Sequence, residues 1–182
     1  MYLTSHTFKS VAEVLRWSKG NLIFMFCVKR ARDIAAAIAE VVALNATDRV
    51  FLEIRVPHIA VEVLQKRPAG WNRVHYVAEA GSTQDVETVL SDPSFSPIRG
   101  RSLFMLEFDP SWKKWHGLDL ANTTSRLHAV NVRTFAATSK LLPSVSEHVD
   151  LFNKFDVVYS YDTPNCVTAS QQVNAGRGIS PP

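Results

Sequence analysis

The chain has 182 residues, 46% hydrophobic and 20% charged, with 20 basic against 17 acidic side chains and a net charge of +3. That balance suits one globular domain spanning 1–182 with a real buried core, and excludes a disordered or fibrous chain. The pI near 9.0 reflects a thin excess in which no Lys/Arg run exceeds two residues, so the clustered basic stripe of a nucleic-acid binder is missing, and no apolar stretch reaches the ~18 residues of a membrane span.

The first helix opens at Ser10, set at capping-box spacing from Glu13, and carries Val11, Val14 and Leu15 with upstream Phe8 on one apolar face, ending near Gly20. Six short apolar runs then follow, at 22–29, 49–56, 73–80, 102–109, 128–135 and 156–162, each trailed by an amphipathic or polar stretch. Strands alternating with helical patterns predict βα units and a parallel sheet. The first run is apolar without alternation, as a strand covered on both faces should be.

Behind Asp33, the residues Ile34, Ile38, Val41 and Val42 fall at helical spacing, and Pro57 suits the first turn of the helix after the second strand. Gly81-Ser82 leads into a short helix with Val86, Val89 and Leu90, while 92–100, with two prolines and a glycine, reads as a loop. The stretch 110–127 is ambiguous, its Trp112 and Trp115 either packing outside or overhanging the strand ends. A helix holding Leu141, Leu142, Val145, Val149 and Phe152 precedes the last strand, and Thr163-Pro164 reads as an N-cap with proline at the first helical position. The tail 176–182 is expected to be irregular, and no linker divides the chain.

Cys27 and Cys166 show no CxxC or Cys/His ligand spacing, so neither zinc nor a disulfide is signalled and two buried thiols are expected. The histidines His6, His58, His75, His116, His128 and His148 are scattered and read as packing or solvent-facing. Met1 to His6 lacks the charged head and apolar stretch of a signal peptide, and the sequons Asn45-Ala46-Thr47 and Asn122-Thr123-Thr124 decide nothing alone.

The last two strands carry a specific pattern. Ala129-Val130-Asn131-Val132-Arg133-Thr134-Phe135, a helix, then Phe155-Asp156-Val157-Val158-Tyr159-Ser160-Tyr161-Asp162-Thr163-Pro164 resembles the close of the glycerophosphodiester phosphodiesterases. Asp156 matches the first aspartate of that final strand, and Asp162 with Pro164 its D-x-P; Arg133 stands where tryptophan is usual and Tyr161 where threonine is usual. Thr7-Phe8-Lys9-Ser10-Val11-Ala12-Glu13-Val14-Leu15 is similar to the family's helix before a strand whose lysine is matched by Lys29, and the ending 173–182 is similar to the phosphatidylinositol phospholipase C-like branch.

The resemblance implies an α/β fold, an incomplete TIM (β/α) barrel of about six sequential parallel strands with helices outside and the first two strands missing. The family is understood to use two histidines as acid and base and a Glu-x-Asp pair plus a third-strand carboxylate to hold Mg²⁺ or Ca²⁺, hard cations that want oxygen ligands. The missing strands would take the histidines and the Glu-x-Asp pair with them, and the remaining carboxylate falls at Cys27, too soft for such a cation. No catalytic residue, metal ligand or cofactor is therefore assigned within the chain. Lys29, Arg133 and Asp162 are left as phosphate- or substrate-binding candidates at the barrel mouth, for a phosphodiester small molecule or lipid head group.

Each candidate has a plainer role: Lys29 as a solvated strand end, Arg133 as an ion-pair partner of Glu107 or Glu53, Asp162 as the residue fixing the Thr163-Pro164 turn. Glu53, Arg55, Glu79, Glu107 and Asp109 lie late in strands and form either an internal ion-pair network or a site lining. Six strands also leave two apolar edges, so a segment upstream of Met1, a partner chain, self-association through the edges or an opened sheet is expected. The readings in play are a phosphodiesterase-family chain that is incomplete alone, a non-catalytic relative binding a phosphate ligand or protein, and an unrelated doubly wound domain, although no Gly-rich phosphate loop follows any strand.

Overall fold

The structure, a computed structural model, describes residues 10–18, 22–108, 118–138, 144–160 and 163–178, with backbone alone for 103–108 and 163. Side chains in an extended segment point alternately to two faces, and Val50-Phe51-Leu52-Glu53-Ile54-Arg55 uses this to put Val50, Leu52 and Ile54 into the core. That segment is β2 (Val50–Arg55), one of six strands with β1 (Phe24–Cys27), β3 (His75–Glu79), β4 (Ser102–Phe108), β5 (Arg133–Thr138) and β6 (Val157–Tyr159). They pair in parallel in the order β1-β2-β3-β4-β5-β6. Parallel neighbours require crossovers, here made by α2 (Ile34–Ala43), α3 (Val56–His58, continued by a π-helical run Ile59–Gln65), α4 (Thr83–Ser91) with α5 (Ser96–Arg99), α6 (Leu120–Ala129) and α7 (Val145–Lys154). Helix α1 (Val11–Trp17) precedes the sheet and α8 (Thr163–Gly176) follows it.

The two faces differ. Leu52, Ile54, Tyr76, Ala78 and Ala136 share one cluster with Leu15, Ile38, Phe95, Ile98, Leu127 and Leu151 from the helices. On the opposite face Val77 and Phe135 are buried, and among the described residues Phe51 and Ala137 pack against them. Helices thus clad one side of the sheet, and among the described residues the other side carries little cover.

The expected TIM-type barrel is corrected. Among the described residues β1 pairs with β2 alone and β6 with β5 alone, so the sheet is open. The strands described with side chains form a block of three, β1–β3, and a block of two, β5–β6, joined through the β4 backbone. Barrel closure needs strands long enough to tilt and stagger around an axis, whereas β1 has 4 residues and β6 has 3. Short edge strands of this kind blunt an open edge.

Boundaries moved where turn chemistry overrode apolar content. The expected strand at 128–135 begins only at Arg133: α6 runs through Ala129, and Asn131 takes a left-handed φ of 60° that turns the chain into β5. The expected loop at 92–100 is a 3-10 turn, Pro93–Phe95, running into α5. Asp92 accepts from the Ser94 N–H, Phe95 and Ile98 are buried, and the Arg99 guanidinium donates to the Val89, Leu90 and Asp92 carbonyls. In α6 Asp119 is the N-cap, and in α7 Ser144 accepts from the Glu147 N–H. Trp112, Trp115, Asp109, Leu141 and Leu142 lie outside the described residues.

Asp156 ties three of these elements together. One carboxylate oxygen accepts from the Thr134 N–H at 2.6 Å and the Thr134 hydroxyl at 2.8 Å, and lies 2.8 Å from His128 Nε2. Burial alone would push the Asp156 carboxyl up, but the Thr134 amide, His128 and the Thr134 hydroxyl together hold it below its usual 3.8. A carboxyl depressed by folding stabilises above its unfolded pKa, and that contribution is lost as pH falls through the folded value. Asp156→Asn is expected to cost about 2 kcal/mol at neutral pH in urea unfolding, with the gap from wild type narrowing once the pH drops below 3.8.

Candidate functional site

The late-strand charges gather where β1, β2 and β3 end. Parallel register sets Cys27 beside Glu53 and Arg55 beside Glu79. Cys27 Sγ lies 2.7 Å from Glu53 Oε1, Lys29 Nζ lies 3.5 Å from the same oxygen, and Arg55 Nε lies 3.8 Å from Glu79 Oε1. The carboxylates are the inner members of these pairs and the cations the outer: the Glu53 side chain is 10% exposed against 71% for Lys29, and Glu79 15% against 69% for Arg55. Beside β1 a cavity of about 360 Å³ is bordered by Cys27, Lys29, Arg30 and Asp33 over apolar Val11 and Val41.

These contacts decide the protonation of the thiol. Cys27 is exposed as a residue, but partial burial of its sulfur and the hydrogen bond to Glu53 push the thiol up to about 11, with Lys29 opposing weakly. Lys29 is itself raised, first by the Cys27 sulfur and then by the charges of Glu53 and Glu79. At neutral pH Cys27 is thus an S–H donor to Glu53, neither a nucleophile nor a thiolate ligand.

Of the three residues expected at one mouth, Lys29 and Arg133 border separate cavities, and Asp162 lies outside the described residues. Lys29 follows β1 at the carboxyl end. Arg133 is the first residue of β5; the register row that holds it runs through Leu103 and Val77 to Glu53, three strands away. Glu53 is engaged by Cys27 and Lys29, so the expected Glu53–Arg133 pair does not form, and the side chain of Glu107 lies outside the described residues. The expected burial of both thiols is also corrected: Cys27 is an exposed residue and Cys166 half-buried.

Two histidines have structural partners that their scatter in sequence hides. His148 is fully buried between the Ser144 carbonyl, 2.9 Å from Nδ1, and the Ser160 hydroxyl, 2.8 Å from Nε2; His128 bonds Asp156. Among the described residues no group of three or more His, Cys, Asp or Glu is placed to hold a metal ion. The Arg55–Glu79 pair was legible only as two late-strand charges, because cross-strand register is not written in either segment alone.

No protein-family model matches the chain, and no curated protein matches it.

Replacing Glu53 by Gln removes the charge but keeps the shape. The Cys27 titration midpoint, read from the pH dependence of iodoacetamide alkylation, is expected to fall from about 11 while staying above the ordinary 9.0, because burial of the sulfur remains.

Proposed function

We propose that this chain is a phosphodiester-handling protein related to the glycerophosphodiester phosphodiesterases, which by itself binds phosphorylated head groups without hydrolysing them. The observation that carries this reading is the pair of exposed cations, Lys29 and Arg55, each anchored by a half- to fully buried carboxylate at the carboxyl ends of adjacent parallel strands. Ligands of open α/β sheets bind beyond those ends. An ammonium and a guanidinium suit phosphate oxygens, the guanidinium through its planar fork.

Hydrolysis asks for more than the described residues supply. Complete relatives of that family would hold Mg²⁺ or Ca²⁺, but the group at the matching position is the Cys27 thiol, protonated at neutral pH and poor for a hard cation. The carboxylate bonded to it, Glu53, already faces the Lys29 ammonium. These residues do not fit a divalent cation, so no step is routed through one.

Calorimetric titration with glycerol 3-phosphate tests the binding, and an assay of glycerophosphocholine with Mg²⁺ or Ca²⁺ tests the chemistry. Wild type is expected to bind, Lys29→Met to bind about tenfold more weakly, and neither to release glycerol 3-phosphate. Cation-dependent turnover by this chain would overturn the non-hydrolytic reading; unchanged affinity in Lys29→Met would overturn the site.

A further inference from the structure

The sparsely covered face of the sheet keeps its apolar side chains at the amino ends of the strands. Met25, Phe51, Val77, Phe135 and Val157 occupy neighbouring rows there and floor a cavity of about 650 Å³. Its size falls in the range of small-molecule sites. The floor is open to solvent at its ends, with Met25 42% and Val157 39% exposed.

The rim carries charge of one sign. Arg101 and Arg133 carry it beside the His75 ring, and no Asp or Glu borders the cavity among the described residues. Arg101 is steadied by donating to the Arg73 carbonyl at 3.3 Å, and the His75 ring leans on Phe51 with centroids 5.0 Å apart. Arg133 has neither an ion pair nor a hydrogen-bond partner among the described residues. A guanidinium left unpaired at the lip of an apolar trough is a receptor for an anion attached to hydrocarbon.

We propose that this trough binds a single-chain anionic amphiphile, its tail along Met25, Phe51, Val77, Phe135 and Val157 and its head group against Arg133 and Arg101. A second copy of the chain would supply apolar surface here but, from the same lining, no carboxylate for Arg133. A neutral apolar partner would leave both guanidinium groups without a counter-charge. The trough lies at the opposite end of the strands from Lys29, and the proposal does not rest on the phosphodiester reading.

The test is calorimetric titration of the full chain with sodium laurate, dodecyl phosphate and dodecyltrimethylammonium, each below its micelle concentration, with near-ultraviolet circular dichroism confirming that tertiary packing persists. The two anions are expected to bind at least about tenfold more tightly than the cation. Their order identifies the head group, carboxylate or phosphate, and either order supports the site. Arg133→Gln should weaken laurate about tenfold without weakening the cationic chain. Met25→Glu, which places a carboxylate at an exposed edge of the floor, should weaken laurate as well, so the conclusion does not hang on one variant. Lys29→Met should leave laurate binding unchanged, which separates failure here from failure of the phosphate site. Equal binding of all three chains, laurate affinity indifferent to both trough variants, or no laurate binding at all would overturn the proposal.

Discussion

The alternation of side chains along parallel strands is the constraint from which the rest of this molecule follows. Because β2 sends Leu52 and Ile54 one way and Phe51, Glu53 and Arg55 the other, a single segment serves both the core and the site. Register then aligns equivalent rows across neighbours, so Glu53 meets Cys27 and Arg55 meets Glu79 without any local motif to bring them together. Toward the amino ends the same face turns apolar on β1 and β2, at Met25 and Phe51. One face therefore holds paired charges at one end and, at the other, an apolar floor rimmed by Arg101 and Arg133.

Polar groups taken out of water here are tied to backbone or to one another, as burial requires. Tyr76, fully buried, donates its hydroxyl to the Trp71 carbonyl, and burial pushes its ionisation well up. His148 spans the start of α7 and Ser160 just beyond β6. Arg99 collects the carbonyls that α4 leaves unsatisfied at its end, a demand every helix terminus makes.

Much of this was legible in the amino-acid sequence, and the failures have particular causes. The alternating apolar and amphipathic stretches mark all six strands, since each must bury a row of side chains whatever the sheet becomes. What a local reading cannot supply is closure: nothing within β1 or β6 says whether the two ends of the sheet will meet. The misplaced start of β5 came from apolar Ala129, Val130 and Val132 outweighing Asn131, whose left-handed turn ends the helix. Likewise the prolines of 92–100 suggested a loop, when Pro93 and Pro97 sit in the first turns of two short helical pieces, a position proline favours. Of the site, the charged residue types were visible and their pairing was not.

Cladding on a single side has a mechanical consequence. Packed interiors resist compression, so a layer of helices stiffens the sheet against flexing toward them. On the other side few side chains stand in the way among the described residues, so the twist natural to strands meets little packing there. Any change in the curvature of the sheet would therefore change the width of the hollow between Met25 at one margin and Val157 at the other.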